Sequence, residues 1–225
     1  MRMLLWKDIA LSKWWIISNV LIISVLGILG IYLSYYKNFP GVILVALSMV
    51  GIFFWSIISG AAHYFNEDHG NAREFLNTLP VPRWKILLSK ALILLFENFL
   101  YWTLILIFFY ITLLEMQTLP PLTPRILITF YLSAALSTYT LSIVSLSVSA
   151  LTKEMPARWF LTILFMIVVL IALQFIPSPQ LNVQIPELSN EQFKAEIDIG
   201  FSIKNLASAL VFFVISSIWV ERRGV

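Results

Sequence analysis

The chain has 225 residues, 60% of them hydrophobic and only 12% charged, with a formal net charge of +3. A soluble domain carries about 25% charged residues, so this composition excludes a soluble fold; a mean hydropathy of +0.88 and several apolar runs of about 20 residues predict an all-α, polytopic membrane protein. With no cysteine in the chain, disulfides, thiol catalysis and cysteine metal sites fall away, and the small positive charge reads as topology charge, with no nucleic acid implied.

A single transmembrane domain over residues 1–225 is expected. Residues 1–13 hold Arg2, Lys7, Asp8 and Lys13 among Met, Leu, Trp and Ile. With Trp6, Trp14 and Trp15 as belt residues, they read as an interfacial helix in the headgroups, the alternative being a frayed tail. No small-residue cleavage site follows the first apolar run, so it is expected to be a retained span. Span one is placed at 14–36, where Gly27, Gly30 and Ser34 allow a neighbouring helix to approach. Asn38-Phe39-Pro40-Gly41 is a tight turn. Span two is 42–64, with Ser56 and Gly60 as a second close-packing pair.

Between spans two and three lies the densest charge in the chain, in Asn66–Lys90. Asn71 stands where an N-cap should, and Glu74 can reach back to the free amide in a capping box. Phe75, Leu76 and Leu79 then fall on one apolar face, and Pro80 and Pro82 stop the helix because neither donates the next backbone bond. The reading is a short capped helix, a proline break and a basic entry into the next span.

Span three, 83–114, would be ~48 Å as a straight helix. That exceeds the ~30 Å hydrocarbon core, so its first turns are expected outside the bilayer. Pro120, Pro121 and Pro124 make a stiff turn before span four, 126–151. There Ser133/Ser137, Ala134/Thr138/Ser142 and Ser145/Ser149 repeat at four-residue spacing, which predicts a helix facing protein rather than lipid. Lys153 to Arg158 is a basic turn, and span five, 159–176, is plain apolar and expected to face lipid. Residues 177–200 are polar and proline-bearing. Span six is 201–220, making six transmembrane helices with both termini on one side. The basic residues divide 11 to 4 between the two sides. By the positive-inside rule the termini and the 66–82 loop are therefore cytoplasmic, and 177–200 is extracellular.

Enzymatic constellations are nearly absent. His63 and His69 are six residues apart, not on one helical face, and no HExxH, G-x-S-x-G or GxxxxGK[ST] occurs. The chain is expected to be no enzyme and to bind neither ATP nor metal itself. His63 reads as a satisfied histidine at the end of span two. Glu97, with Asn98 beside it, is the exception: a carboxyl inside span three is a functional candidate by default. It would form a polar wall of a translocation path or a bond across a dimer interface. The alternative is a protonated acid bonded to hydroxyls such as those of span four. Phe53, Phe54, Trp55, Tyr101 and Trp102 could line a path for an amphipathic cargo, although aromatics at helical spacing are more often core.

The order of an acidic-Gly-Arg-Glu start, an L-x-x-L-P-V-P-R-W turn and a Lys-bearing entry to span three resembles the ABC-2 type permease family, the membrane subunits of ATP-driven exporters. The resemblance covers the whole chain in architecture and about 25 residues in letters. It implies that the 66–82 loop carries a coupling helix docking on an ATPase subunit. Phe75, Leu76 and Leu79 would be its anchors, with Glu67, Asp68, Arg73 and Glu74 around them. It further implies two copies of an ATPase subunit, which bind the ATP and Mg, and a second permease copy or a homologous sibling. Short helices dipping into the outer leaflet are implied within 177–200, an ordinary surface turn being the alternative. The cargo would be a hydrophobic or amphipathic compound: a peptide, drug or lipid. An ion-coupled secondary transporter or a non-transporting membrane partner are the alternatives. The former should show several intramembrane ionisable residues, and by sequence only Glu97 qualifies. The protein is expected in the cytoplasmic membrane.

Overall fold

The computed structural model describes residues 2–37, 42–68, 81–116, 124–151, 160, 161, 163, 164 and 199–223. Its elements are α1 (Arg2–Lys37), α2 (Val42–Asp68), α3 (Arg83–Met116), α4 (Pro124–Leu151) and α5 (Ile199–Arg223). All five contain a stretch long and apolar enough to cross a membrane, and no strand occurs among the described residues. Span five, at 159–176, and the whole of 71–79 lie largely or entirely outside them.

The N-terminal expectation is corrected. Residues 2–13 are not a separate helix; α1 runs unbroken for 36 residues. Nothing between Arg2 and Gly27 breaks a helix, since that stretch has neither proline nor glycine. At ~54 Å, α1 extends well past a ~30 Å hydrocarbon core. Its inward face runs Asp8, Ser12, Asn19, Ile23, Gly27 and Gly30, at steps near 3.6 residues. α2 also continues beyond the expected end of span two, to Asp68. α3 starts directly after Pro82, as the proline break predicts.

α1 packs chiefly on α3, α2 on α4, and α5 on α4. Two apolar clusters hold the bundle. One joins α1–α4 through Ile23, Val45, Ile52, Tyr101, Trp102, Ile105 and Ala135. The other joins α3, α4 and α5 through Leu87, Leu94, Ile143, Leu146, Ala209 and Phe213. Tyr101 and Trp102 are therefore core. The Trp102 indole donates to Thr138 Oγ1 at 2.9 Å, and Tyr101 Oη accepts from Asn19 Nδ2 at 3.4 Å.

The small residues do what their spacing predicts. A Cβ on Gly60 would stand 2.5 Å from Leu146 N and 2.6 Å from Ser142 O, so α2 and α4 cross backbone to backbone there. A Cβ on Gly27 would run into the Phe108 ring, the close approach of α1 to α3. α4 turns Thr138, Ser142, Ser145 and Ser149 into the protein. Ser145 donates across to the carbonyl of Ile57, and Ser59 and Ser142 meet at 3.5 Å. In apolar surroundings such bonds hold helices together, because an unmade one leaves a polar group with no water to turn to.

Candidate functional site

α1, α2 and α3 meet at a cluster of ionisable side chains near the start of α1, the end of α2 and the start of α3. Asp8, Lys90, His63 and Glu97 are each at most 6% exposed. Helical periodicity brings them together. Lys90 and Glu97 lie two turns apart on one face of α3, Asp8 and Ser12 one turn apart on α1, and Ser56, Ser59 and His63 share a face of α2.

Asp8 holds the first half of the cluster. One carboxylate oxygen accepts from the Ser89 hydroxyl. The other, Oδ1, faces two ammonium groups: Lys7 at 3.2 Å and Lys90 at 3.6 Å. Lys90, almost wholly buried, also donates to the carbonyl of His63 at 3.0 Å. One lysine thus ties α3 to both α1 and α2. A buried ion pair is weak evidence for net stability, yet removing one partner is costly because it strands the other charge.

The second half is the pair of His63 and Glu97. His63 Nε2 lies 3.3 Å from Glu97 Oε1, and His63 Nδ1 lies 3.3 Å from the hydroxyl of Ser12. The sequence leaves Glu97 on a path, at a dimer interface or bonded to hydroxyls of span four; the structure gives it a histidine of α2. His63, read from sequence as a satisfied histidine at the end of span two, has a partner at each ring nitrogen. Asp8, His63 and Lys90 join Glu97 within helices long enough to span.

Asn98 heads a separate, neutral seam. Its Oδ1 accepts from Ser56 at 3.0 Å, and its Nδ2 donates to Leu94 O at 2.8 Å and Ser142 Oγ at 3.1 Å. All of the amide's described bonds go to α2, α3 and α4, so Asn98 is turned into the bundle. At the same end, the backbone N–H of Arg83 donates to Glu221 Oε2 at 2.9 Å. A carboxylate of α5 thereby caps the first turn of α3, where an anion is favoured by the free amides and the helix dipole.

Of the docking residues, Arg73, Glu74, Phe75, Leu76 and Leu79 lie outside the described residues. Glu67 and Asp68 fall on the last turn of α2, where the backbone alone is described. Among the described residues no three His, Cys, Asp or Glu side chains converge to hold a metal.

A bundle of spanning helices with a buried ionic cluster is an architecture shared by many transporters, and the cluster alone does not choose among them. The model of the ABC-2 family transporter proteins matches residues 3–220. The chain belongs to the ABC-2 transporter family. This ABC-2 protein is matched by no curated protein and no solved structure. The family match takes in all of the described helices but Arg2 and residues 221–223, so the ionic cluster lies inside the ABC-2 domain itself.

Proposed function

We propose that this ABC-2 protein is the transmembrane permease subunit of an ATP-binding-cassette exporter, lodged in the cytoplasmic membrane and driven by a separate ATPase. The observation that carries the reading is the family match over residues 3–220. The sequence supports it in two ways: it has no phosphate-binding loop of its own, and it places a capped, proline-stopped segment immediately after α2. ATP would close two ATPase subunits, segment 71–79 would move with them, and the helices would rock between inward- and outward-open states. One chain forms half a conduit, so a second permease copy or a homologous sibling completes it. Glu97 and Asn98 would form the polar wall that the path exposes as α2 and α3 part. The cargo is a hydrophobic or amphipathic compound.

The test is assembly with the ATPase. A docking helix places a few anchors in a groove, each costing on the order of 1–3 kcal/mol when truncated. Phe75→Ala with Leu79→Ala should weaken capture of the ATPase subunit by at least ~2 kcal/mol while leaving insertion intact. The matched control is Val168→Ala with Leu170→Ala. Equal capture by the two double variants would remove 71–79 as the docking element.

A further inference from the structure

α5 packs chiefly on α4 and only lightly on α3. Where α3 begins and α5 ends, the two helices leave a groove of about 510 Å³ between them, within the ~300–1,000 Å³ of a small-molecule site. Its floor is apolar: Leu88 comes from α3, and Phe213, Val214 and Ile218 come from α5. Trp84 forms a wall, and Glu221 and Arg222 stand at the mouth. Floor and mouth are ordered along α5, since Phe213 and Arg222 are separated by ~14 Å of helix. The spanning stretch of α5 is Ile203–Arg222. The mouth therefore falls where headgroups begin, and the floor falls among acyl chains.

The charges at the mouth do not cancel. Glu221 is engaged, its Oε2 accepting from the backbone N–H of Arg83 at 2.9 Å. The ammonium of Lys85 lies over the Trp84 ring, 5.6 Å from its centroid, which keeps a cation beside the groove wall. Arg222 is exposed, and no carboxylate among the described residues pairs with it. Arg83 and Arg223 add two more positive charges at this end. α2, which carries Glu67 and Asp68, does not pack on α5. A basic rim over an apolar floor at headgroup depth is complementary to an anionic head on an acyl chain. A guanidinium also matches a phosphate with two parallel bonds.

We propose that this groove binds an anionic glycerophospholipid, one acyl chain lying along Leu88, Phe213, Val214 and Ile218 and the phosphate held by Arg222 and Lys85. The lipid is a resident of the α3–α5 seam and not the cargo. Glu97 and Asn98 face α2 and α4, and neither lines the groove. Bound there, the lipid joins two helices that touch only lightly, and so stabilises the folded chain. The site stands whether or not an ATPase drives the chain.

The experiment titrates the full chain, purified in detergent, with phosphatidylglycerol, phosphatidylcholine of the same chains, or glycerol phosphate. Native mass spectrometry counts bound lipid, and the unfolding midpoint reports its effect. Phosphatidylglycerol should bind more tightly than phosphatidylcholine and raise the midpoint; glycerol phosphate, which has no chain, should do neither. Lys85→Gln with Arg222→Gln should lower the affinity for phosphatidylglycerol roughly fivefold for each charge removed. Lys13→Gln with Lys204→Gln removes two exposed lysines that do not line the groove, and should keep the preference. Equal affinity for the two lipids would mark an ordinary lipid-facing surface and overturn the proposal. Equal losses in the two double variants would overturn it too, as would glycerol phosphate binding as tightly as the lipid. A dimer that forms without lipid and excludes it would hand the groove to a second copy and equally overturn it. If Lys85→Gln with Arg222→Gln does not insert, Val214→Trp fills the floor and leaves every charge in place. It should cut phosphatidylglycerol binding, and an unchanged affinity would count against the groove.

Discussion

Lys90 is the residue through which the cluster is best probed. Its ammonium holds Asp8 of α1 and the His63 carbonyl of α2 at once. Lys90→Ala strands a buried carboxylate, with only the partly exposed Lys7 left beside it, and should cost about 3–5 kcal/mol. Lys90→Met with Asp8→Leu removes both charges and fills the space with apolar atoms. It should recover most of that loss, as replacement of buried pairs commonly does. The comparison is of unfolding midpoints in nanodiscs; a double variant as unstable as the single one would show that packing, not charge, is what Lys90 supplies. Little of this was legible in the sequence. Glu97 stood out because a carboxyl deep in an apolar run is costly to bury. Asp8 and Lys90 lie near helix ends, where a charge is ordinarily solvated. Only the pairing of α1 with α3 makes them internal, and pairing is tertiary information. One local signal did exist: Asp8, Ser12 and Asn19 continue the face that carries Gly27 and Gly30.

At the scale of the elements, the small-residue pattern was the most reliable guide. Glycines and serines four residues apart mark where backbones approach, and Gly60 sits at such a crossing. The atoms that a new Cβ would meet there are mainly backbone, which cannot rotate away. Gly60→Ala should therefore push α2 from α4 and cost about 1–3 kcal/mol. Gly51, on the same helix, has open space around it. Gly51→Ala should be neutral or stabilising by up to about 1 kcal/mol, since alanine is the better helix former. Equal effects at the two positions, measured by unfolding, would argue against close approach as the reason for Gly60. Helix ends were read less well. Polar Asn66, Glu67 and Asp68 suggested a loop, yet α2 runs through them, because charged residues are tolerated on a helix's last turn. The same bias cut α1 short at Trp14. A change from charged to apolar letters marks where lipid begins and says nothing about where a helix begins.

At the scale of the molecule, the contacts fix how the ends are arranged. Asp8 meets Lys90, so α1 and α3 run the same way. Arg83 meets Glu221, and Trp102 meets Thr138 while Asn98 meets Ser142, so α3 runs opposite to both α5 and α4. α4 and α5 are therefore parallel. The same contacts bring the start of α1, the end of α2, the start of α3 and the end of α5 to one end of the bundle. Charge bears on which membrane face that end occupies. Eleven of the fifteen basic residues belong to it by sequence; with Lys90 withdrawn because it is buried against Asp8, ten remain against four. By the positive-inside rule an asymmetry of this size predicts that this end is cytoplasmic. The chain has no cysteine of its own, so single cysteines report cleanly. Asn71→Cys should react with an impermeant maleimide only when the cytoplasmic face is open to it, and Asn190→Cys should react from outside intact cells. Labelling of Asn71→Cys from outside would turn the bundle over. It would put segment 71–79 out of reach of any cytoplasmic ATPase and end the exporter reading, while leaving the His63–Glu97 pair in place.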